Sequence, residues 1–208
     1  ESIVALQHEN PPPNRFRSPR MRDLYRRGGK RAADIVLGSL ALVLLAPVML
    51  IAAAIVYATL GRPIFFRQVR VGLRNRAFTL VKFRTMSNAM GDGRLLPDAQ
   101  RLTLSGAALR RFSLDELPQL LNVVRGEMSL IGPRPLLPEY LPRYTAEQAR
   151  RHDVKPRITG LAQVNGCRGE TSELKQMEAR VKYDLEYLRS WTPLLDVKLL
   201  AATLMQVL

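Results

Sequence analysis

Residues 35–60 read IVLGSLALVLLAPVMLIAAAIVYATL, contain no charged side chain, and decide the fold. As a straight helix this stretch would be ~39 Å long, against ~30 Å for the hydrocarbon core of a bilayer. A buried core helix of a soluble protein is disfavoured because the stretch is apolar on every face. A secretory signal peptide is disfavoured because the apolar run is too long and begins too late. We therefore expect residues 35–60 to lie in a membrane.

Positive charge flanks this stretch on both sides, whereas a helix that crosses a membrane shows a Lys/Arg excess on one side only. Pro47 lies near the middle, where it removes one backbone hydrogen bond and favours a kink. We therefore predict a re-entrant helix–break–helix over residues 30–61, broken at Pro47, that enters and leaves by the same leaflet. A tilted spanning helix is the alternative. The flanking cations are Arg26, Arg27, Lys30 and Arg31 before the stretch and Arg62, Arg67, Arg70, Arg74 and Arg76 after it.

The net charge of the 208-residue chain is +14, from 32 Lys and Arg against 18 Asp and Glu. Residues 1–31 carry a net +5 and residues 61–111 a net +9, so the positive charge brackets the apolar stretch. Anionic lipid headgroups explain this distribution better than nucleic acid does, and no nucleic-acid partner is expected. A single cysteine, Cys167, excludes an intrachain disulfide, and two histidines argue against a histidine-rich metal site. Any chemistry is expected to depend on carboxylates and arginines.

The fold class that the patterns indicate is α+β, in three regions. Residues 1–29 form a basic N-terminal arm, residues 30–61 the membrane segment, and residues 62–208 a small, mostly helical domain. Within that domain, residues 63–72 and 77–83 are rich in β-branched and aromatic side chains. These two runs predict a short β-hairpin.

Helical periodicity follows the predicted hairpin. Residues 114–124 and 174–188 place apolar side chains at helical spacing, and the second helix is expected to end before Pro193. The apolar tail, residues 194–208, either packs in the core or lies on the membrane as an interfacial amphipathic helix.

Residues 110–135, RRFSLDELPQLLNVVRGEMSLIGPRP, form the most informative stretch for function. Asp115 and Glu116 are expected at the positive end of a helix beside two arginines, which keeps carboxylates ionised and attracts anions. Adjacent helical side chains point ~100° apart, so one carboxylate can act as a nucleophile while the other holds a divalent cation. An ordinary capping box that begins at Ser113 is the alternative.

Residues 132–135 read GPRP, which predicts a rigid turn with Arg134 between two prolines. An arginine immobilised in this way suits bidentate phosphate binding. Lys82 and Arg84, at the end of a predicted strand, add two more cations. For all three side chains the alternative is an ordinary solvent-facing cation.

Five motifs in this chain carry a family resemblance when they are taken together. They are Lys30-Arg31 with Asp34 before the proline-broken stretch, KFRTM at 82–86, RRFSLDELPQL at 110–120, SLIGPRP at 129–135, and ITG at 158–160 with QVNG at 163–166. The chain resembles the bacterial sugar transferase family, the monotopic phosphoglycosyl transferases that prime glycan assembly on a polyprenyl phosphate. The resemblance covers about residues 30–200, with the motifs in family order.

The resemblance implies a reaction. Asp115 would be the nucleophile that attacks the sugar-linked phosphate of a UDP-sugar, so that UMP leaves and a covalent phosphosugar–aspartyl intermediate forms. Glu116 would help to hold Mg²⁺, the implied cofactor, which neutralises the diphosphate charge. Undecaprenyl phosphate would then accept the sugar phosphate, which initiates polysaccharide or glycoconjugate assembly. The implied phosphate-binding residues are Arg134 and, in addition, Lys82, Arg84 and Arg111.

The resemblance also implies a location. The protein would be monotopic in the bacterial inner (cytoplasmic) membrane, with its active site facing the cytoplasm and anionic headgroups around it. Residues 62–208 would then be the catalytic domain at the cytoplasmic face, with an interfacial helix at its C-terminal end.

The chain departs from the family pattern at three places. Ala46 replaces the serine that many members have before the proline of the membrane segment, here Pro47. Arg157 and Leu161 replace a Gly and a Trp that are frequent in the family. Residues 166–171 (GCRGET) resemble members that transfer hexose phosphates, whereas residues 135–140 (PLLPEY) resemble members that act on acetamido sugars. These two signals disagree, so the sequence does not assign the sugar.

A membrane-anchored basic module that binds anionic lipid or nucleic acid, without catalysis, is the alternative function. The net charge of +14 supports this alternative on electrostatic grounds alone. The sequence leaves open the divalent cation and the oligomeric state, a homodimer included. It also leaves open whether residues 1–25 are a native arm or the remnant of a longer protein.

Overall fold

The computed structural model describes residues 25–167 and 174–207. Most of the predicted basic arm and residues 168–171 of the GCRGET motif therefore lie outside the described residues. After a helical turn at Tyr25–Gly29, the elements are α1 (Lys30–Leu60), β1 (Phe65–Val71), β2 (Ala77–Phe83), β3 (Met90–Gly91), β4 (Arg94–Leu95), α2 (Asp98–Arg101), α3 (Leu104–Arg111), α4 (Gln119–Arg125), β5 (Ser129–Ile131), α5 (Ala146–Ala149), β6 (Arg157–Thr159), α6 (Leu161–Val164), α7 (Leu174–Ser190) and α8 (Pro193–Val207). Short 3₁₀ turns lie at Leu73–Asn75, Leu114–Glu116, Pro138–Arg143 and Arg150–Asp153.

The apolar stretch forms α1, a helix of 31 residues that continues through Pro47. By length and composition it is able to cross a membrane, and only 11% of its most apolar window is buried within the protein. Its four buried residues are Asp34 and Gly38 near one end and Ala52 and Val56 near the other. Membrane association is therefore indicated. The predicted re-entrant course of this segment, with a break at Pro47, stays a prediction.

The first turns of α1 are fixed to the domain by polar contacts. The Asp34 carboxylate accepts hydrogen bonds from the Ser129 hydroxyl and the Leu130 N–H, both at 3.0 Å. Arg31 donates to the carbonyls of Val123 and Val124 at the end of α4, at 2.6 and 2.7 Å. Cations at a helix C-terminus satisfy carbonyls that have no partner within the helix.

The last turns of α1 pack on the same domain through apolar contacts. Ala52 and Val56 form a buried cluster with Phe83 of β2 and Leu109 of α3. Both ends of α1 therefore contact the domain, whereas large apolar side chains near its middle, such as Val43 at 72% exposure, stay uncovered.

The predicted β-hairpin is confirmed. β1 and β2 pair antiparallel from Phe65 opposite Phe83 to Val71 opposite Ala77. The connecting turn places Arg74 and Asn75 at positive φ. β5 and β6 form a separate parallel pair, which joins the GPRP segment to residues 157–159.

The predicted helix over residues 114–124 is split. Residues Leu114–Glu116 form a 3₁₀ turn, and α4 begins at Gln119 after Pro118. The capping-box alternative is wrong, because Ser113 adopts left-handed backbone angles (φ 54°) and its side chain makes no capping hydrogen bond. Pro118 stands at the N-cap position, where its missing N–H costs little.

The C-terminal helices complete the core. α7 ends before Pro193 as predicted. Leu199 and Ala202 of α8 join a buried cluster with Tyr187 of α7 and Ile131 of β5. This packing confirms that the tail joins the core. The other face of α8 leaves large apolar side chains exposed, and its position on a membrane surface stays a prediction; the exposed residues are Leu194, Val197, Leu204 and Met205.

Candidate active site

Asp115 lies in the 3₁₀ turn between α3 and α4 and is 6% exposed. Burial raises the pKa of its carboxyl to about 6, and the neighbouring Glu116 adds to the rise. Lys82 and Arg110 oppose the rise, because a nearby cation favours the ionised carboxylate. A carboxylate that is desolvated yet ionised near neutral pH is a competent nucleophile.

Lys82 stands near the end of β2, in register with Phe66 of β1. Its ammonium lies 5.2 Å from the centre of the Phe66 ring, within the range of a cation–π contact. Burial lowers the pKa of Lys82, while Asp115 and Glu116 act in the opposite direction. Lys82, one of the predicted phosphate-binding residues, therefore lies close enough to Asp115 and Glu116 for their charges to act on it.

Glu116 forms an ion pair with Arg134, with 3.2 Å between Oε1 and Nη2. The GPRP turn that presents Arg134 is held by the β5–β6 pair, where Gly132 N–H donates to the Thr159 carbonyl at 3.2 Å. The predicted phosphate-binding arginine and the predicted metal-binding glutamate are therefore neighbours.

Arg110 also lies at the site and was not among the predicted site residues. Its Nε donates to the Thr85 hydroxyl at 3.0 Å, and its charge acts on Asp115. Gly106 allows α3 to approach this closely, since a Cβ there would lie 2.0 Å from the Thr85 carbonyl oxygen. The packing of α3 against Thr85 separates Arg110 from its neighbour Arg111, and no signal in the local sequence does so.

Two predicted phosphate-binding residues have other partners. Arg111 is exposed, and its guanidinium lies 5.8 Å from the centre of the Phe112 ring. Arg84 is 8% exposed and donates to the carbonyls of Leu60 and Arg62 at the end of α1. Arg84 still lines the cavity described next, whereas Arg111 does not.

A cavity of about 410 Å³ opens beside the acidic pair. Among the described residues that line it, seven are cationic and one, Asp98, is acidic. Such an excess of guanidinium and ammonium groups attracts a polyanion such as a diphosphate. Apolar side chains, Leu136 and Tyr140 among them, line another part. The seven cations are Arg70, Lys82, Arg84, Arg101, Arg110, Arg134 and Arg180.

Asp115 and Glu116 are not lining residues themselves, but Lys82, Arg110 and Arg134, which act on them, are. The acidic pair therefore lies next to three cations of the cavity without lining it. The described residues contain no group of three or more His, Cys, Asp or Glu side chains suited to a metal. The residues present fit Mg²⁺ in its usual phosphate-bound form, which needs only one or two carboxylates besides the phosphates and water.

Arg157, one of the departures from the family pattern, is 2% exposed in β6. Its guanidinium lies 3.8 Å from Asp184 of α7, and burial lowers the pKa of Arg157 to about 10. Gly160 makes room for it, because a Cβ there would lie 2.5 Å from the Arg157 Nε. The segment at residues 157–160 therefore accommodates a buried arginine at position 157, because Gly160 has no Cβ that would collide with it.

An ionisable carboxylate beside a cavity rich in guanidinium groups is the arrangement of a protein that binds a phosphorylated ligand next to a nucleophile. The bacterial sugar transferase family model matches residues 25–208. The chain belongs to the bacterial sugar transferase family.

Individual relatives support this assignment. The uncharacterized sugar transferase EpsL of Bacillus subtilis (strain 168) is 48% identical over 86% of this chain and 87% of its own length. A UDP-glucose:undecaprenyl-phosphate glucose-1-phosphate transferase of Klebsiella pneumoniae is 43% identical over 84% of this chain, and the chain spans 39% of its length. The exopolysaccharide production protein ExoY of Rhizobium meliloti (strain 1021) is 36% identical over 84% of this chain and 83% of its own length.

Proposed function

We propose that this protein transfers a sugar 1-phosphate from a UDP-sugar to undecaprenyl phosphate, and that it initiates the assembly of a polysaccharide or glycoconjugate. The observation that carries the proposal is the position of Asp115: buried, with a pKa of about 6, and next to two cations, Lys82 and Arg110, that line a cavity of about 410 Å³. The Klebsiella relative is named for this reaction with UDP-glucose, which makes UDP-glucose the first donor to test.

In the first step, a carboxylate oxygen of Asp115 attacks the β-phosphorus of the donor. The bond between that phosphorus and the bridging oxygen breaks, and UMP leaves with the electron pair. The sugar phosphate stays on Asp115 as an acyl phosphate. Arg134, Lys82 and Arg110 line the cavity and would stabilise the charge that develops on the phosphate oxygens.

In the second step, a phosphate oxygen of undecaprenyl phosphate attacks the same phosphorus. The bond from phosphorus to the Asp115 oxygen breaks, which yields the polyprenyl diphosphate sugar and restores the carboxylate. Glu116 is the residue that would hold Mg²⁺, which supplies charge neutralisation of the diphosphate when it is bound. Glu116 also keeps Arg134 in place through their ion pair.

A re-entrant course of α1 would place this site at the cytoplasmic face of a monotopic protein. Contacts of both ends of α1 with one domain support it, since a straight spanning helix of this length would carry its ends ~45 Å apart, on opposite sides of a ~30 Å core. Pro47, midway along the helix, is the position at which we infer the bend.

The reaction is tested by UMP release from UDP-glucose with Mg²⁺ and undecaprenyl phosphate, in protein held in nanodiscs. Wild type should release UMP, Asp115→Asn should not, and Asp153→Asn, which removes an exposed carboxylate outside the cavity, should match wild type. Donor labelled in the β-phosphate should leave label on the wild-type protein when acceptor is omitted, whereas donor labelled in the α-phosphate should not. Membrane attachment with no UMP release from any UDP-sugar would favour the alternative function, a membrane-anchored basic module that binds anionic lipid or nucleic acid without catalysis.

The topology is tested with cysteines on either side of α1, Gly28→Cys before it and Arg67→Cys in β1 after it, each in a Cys167→Ser background. In right-side-out spheroplasts a membrane-impermeant maleimide should label neither cysteine, and after lysis it should label both. A spanning helix would instead give labelling of one end before lysis.

A further inference from the structure

A group of buried charged residues binds the backbone of the GPRP turn, residues 132–135. Arg151 is 1% exposed. One of its terminal nitrogens donates to the Arg134 carbonyl at 2.8 Å and to the Asp184 carboxylate, and the other donates to the Tyr144 hydroxyl at 3.1 Å. Arg151 therefore contacts the backbone of the residue whose side chain pairs with Glu116.

A second residue of this buried group contacts the same segment. The backbone N–H of Arg157 donates to the Pro133 carbonyl at 3.0 Å, and the Arg157 guanidinium shares Asp184 with Arg151. The carbonyls of Pro133 and Arg134, in the peptides on either side of the Arg134 Cα, are thus both bound by residues of this buried group. The backbone of the turn is fixed at adjacent positions.

The buried group is costly in electrostatic terms. Two guanidinium groups share one carboxylate, Asp184, and among the described residues the Nε of Arg151 and the Nε and Nη1 of Arg157 have no hydrogen-bond partner. Burial of cations with incomplete compensation destabilises a fold. Such costs are expected where a functional residue must be held in one geometry.

We propose that Arg151, itself held by Asp184, is a positioning residue for Arg134. It fixes the Arg134 carbonyl, so that the guanidinium reaches both Glu116 and the phosphates of the donor. Arg151 lies outside the set of residues that line the cavity, and it acts on the reaction only through Arg134. This role rests on the proposed function, because it requires Arg134 to bind the donor.

A double-mutant cycle tests the proposal. Arg151→Lys keeps the buried charge but loses the planar set of donors that reaches three acceptors at once. We expect a roughly tenfold to hundredfold loss of kcat/KM, with a rise in KM for the UDP-sugar as part of it, since displacements of about 1 Å cost rates of this order. In an Arg134→Gln background the same substitution should change kcat/KM by less than about twofold.

A milder variant keeps the test valid if Arg151→Lys does not fold. Tyr144→Phe removes one acceptor of Arg151 and leaves its contacts with Asp184 and Arg134. We expect a smaller rise in KM, which also disappears in the Arg134→Gln background. Arg189→Lys alters an ion pair on the surface, with Glu147, and should leave KM and kcat unchanged.

The outcomes separate the two proposals. A loss of the same factor in both backgrounds, or a fall in folded protein with unchanged KM, would overturn the positioning role while leaving the transferase proposal intact. Absence of UMP release from wild type would overturn the proposed function and this role with it. Disappearance of the Arg151 and Tyr144 effects without Arg134 would establish the role.

Discussion

Two buried aspartates in this protein have opposite surroundings. Asp196 of α8 is 4% exposed and accepts hydrogen bonds from Tyr25, Lys30 and Tyr187, each at 2.7 Å. Asp115 is nearly as buried, yet within the described part of the chain it receives no hydrogen bond from a side chain. Its cations act on it at longer range, through charge.

The difference is the one expected between a structural carboxylate and the nucleophile that we propose. The oxygens of Asp196 are occupied by donors that join the start of α1 to α7 and α8, so its burial is compensated. The burial of Asp115 is only partly compensated, by the charges of Lys82 and Arg110 and by a hydrogen bond from its own backbone N–H. A buried carboxylate without saturated hydrogen bonds is a better candidate for a nucleophile than one that is merely buried.

The largest expected contrast is in activity. Asp115→Asn should reduce UMP release by about 10³-fold or more, because the amide removes the nucleophile. Asp196→Asn should keep the rate per folded molecule within about fivefold of wild type. Steady-state rates normalised to folded protein measure both. Substantial activity in Asp115→Asn would remove Asp115 from the mechanism.

The second contrast is the stability cost of losing Asp196. Asp196→Asn removes three strong hydrogen bonds to a buried carboxylate and leaves the half-buried Lys30 without its ion pair, and we expect a loss of about 2–4 kcal/mol. Thermal unfolding in detergent measures it. Lys30→Met added to Asp196→Asn should recover part of the loss, because the unpaired cation is then removed. A loss no larger than that of Asp153→Asn, on the surface, would contradict the structural role.

The third contrast is one of sign, since Asp115→Asn should stabilise the protein. The pKa of Asp115 is raised above its unfolded value, so the ionised form destabilises the fold above about pH 6. We expect a gain of about 1–3 kcal/mol at pH 8, or roughly 2–4 °C in Tm per kcal/mol. The gain should shrink as the pH falls through 6 towards 4. A lower Tm than wild type at pH 8 would contradict the uncompensated burial of this carboxylate.

The smallest expected effect is a shift in the pH at which kcat/KM begins to fall. Because Asp115 must be ionised to attack, kcat/KM should fall about tenfold per pH unit on the acid side of a break near pH 6. Lys82 lowers the pKa of Asp115, so Lys82→Met should move this break to higher pH. A break that stays in place would mean that Lys82 does not act on the charge of Asp115.

Prediction from the sequence succeeded where the signal lies in neighbouring residues. The apolar helix, the hairpin of β1 and β2, and the helix before Pro193 each follow from composition and periodicity within one segment. Prediction failed in part at residues 113–118. Apolar spacing predicted one helix over residues 114–124, whereas Ser113 adopts left-handed backbone angles, Leu114–Glu116 form a 3₁₀ turn and α4 begins only at Gln119. Periodicity does not register a reversal at one residue.

The sequence by itself determined the membrane-associated helix, the acidic pair Asp115-Glu116 and the rigid presentation of Arg134, because hydrophobicity, adjacent charges and proline geometry are properties of local sequence. The tertiary structure alone decided that Arg110 rather than Arg111 lines the cavity, and that Asp184 rather than Asp115 is saturated by buried arginines. The residues in such contacts lie tens of positions apart, as Arg151 and Asp184 do. Which donor meets which acceptor depends on how helices and strands pack, and neither residue type nor spacing encodes that.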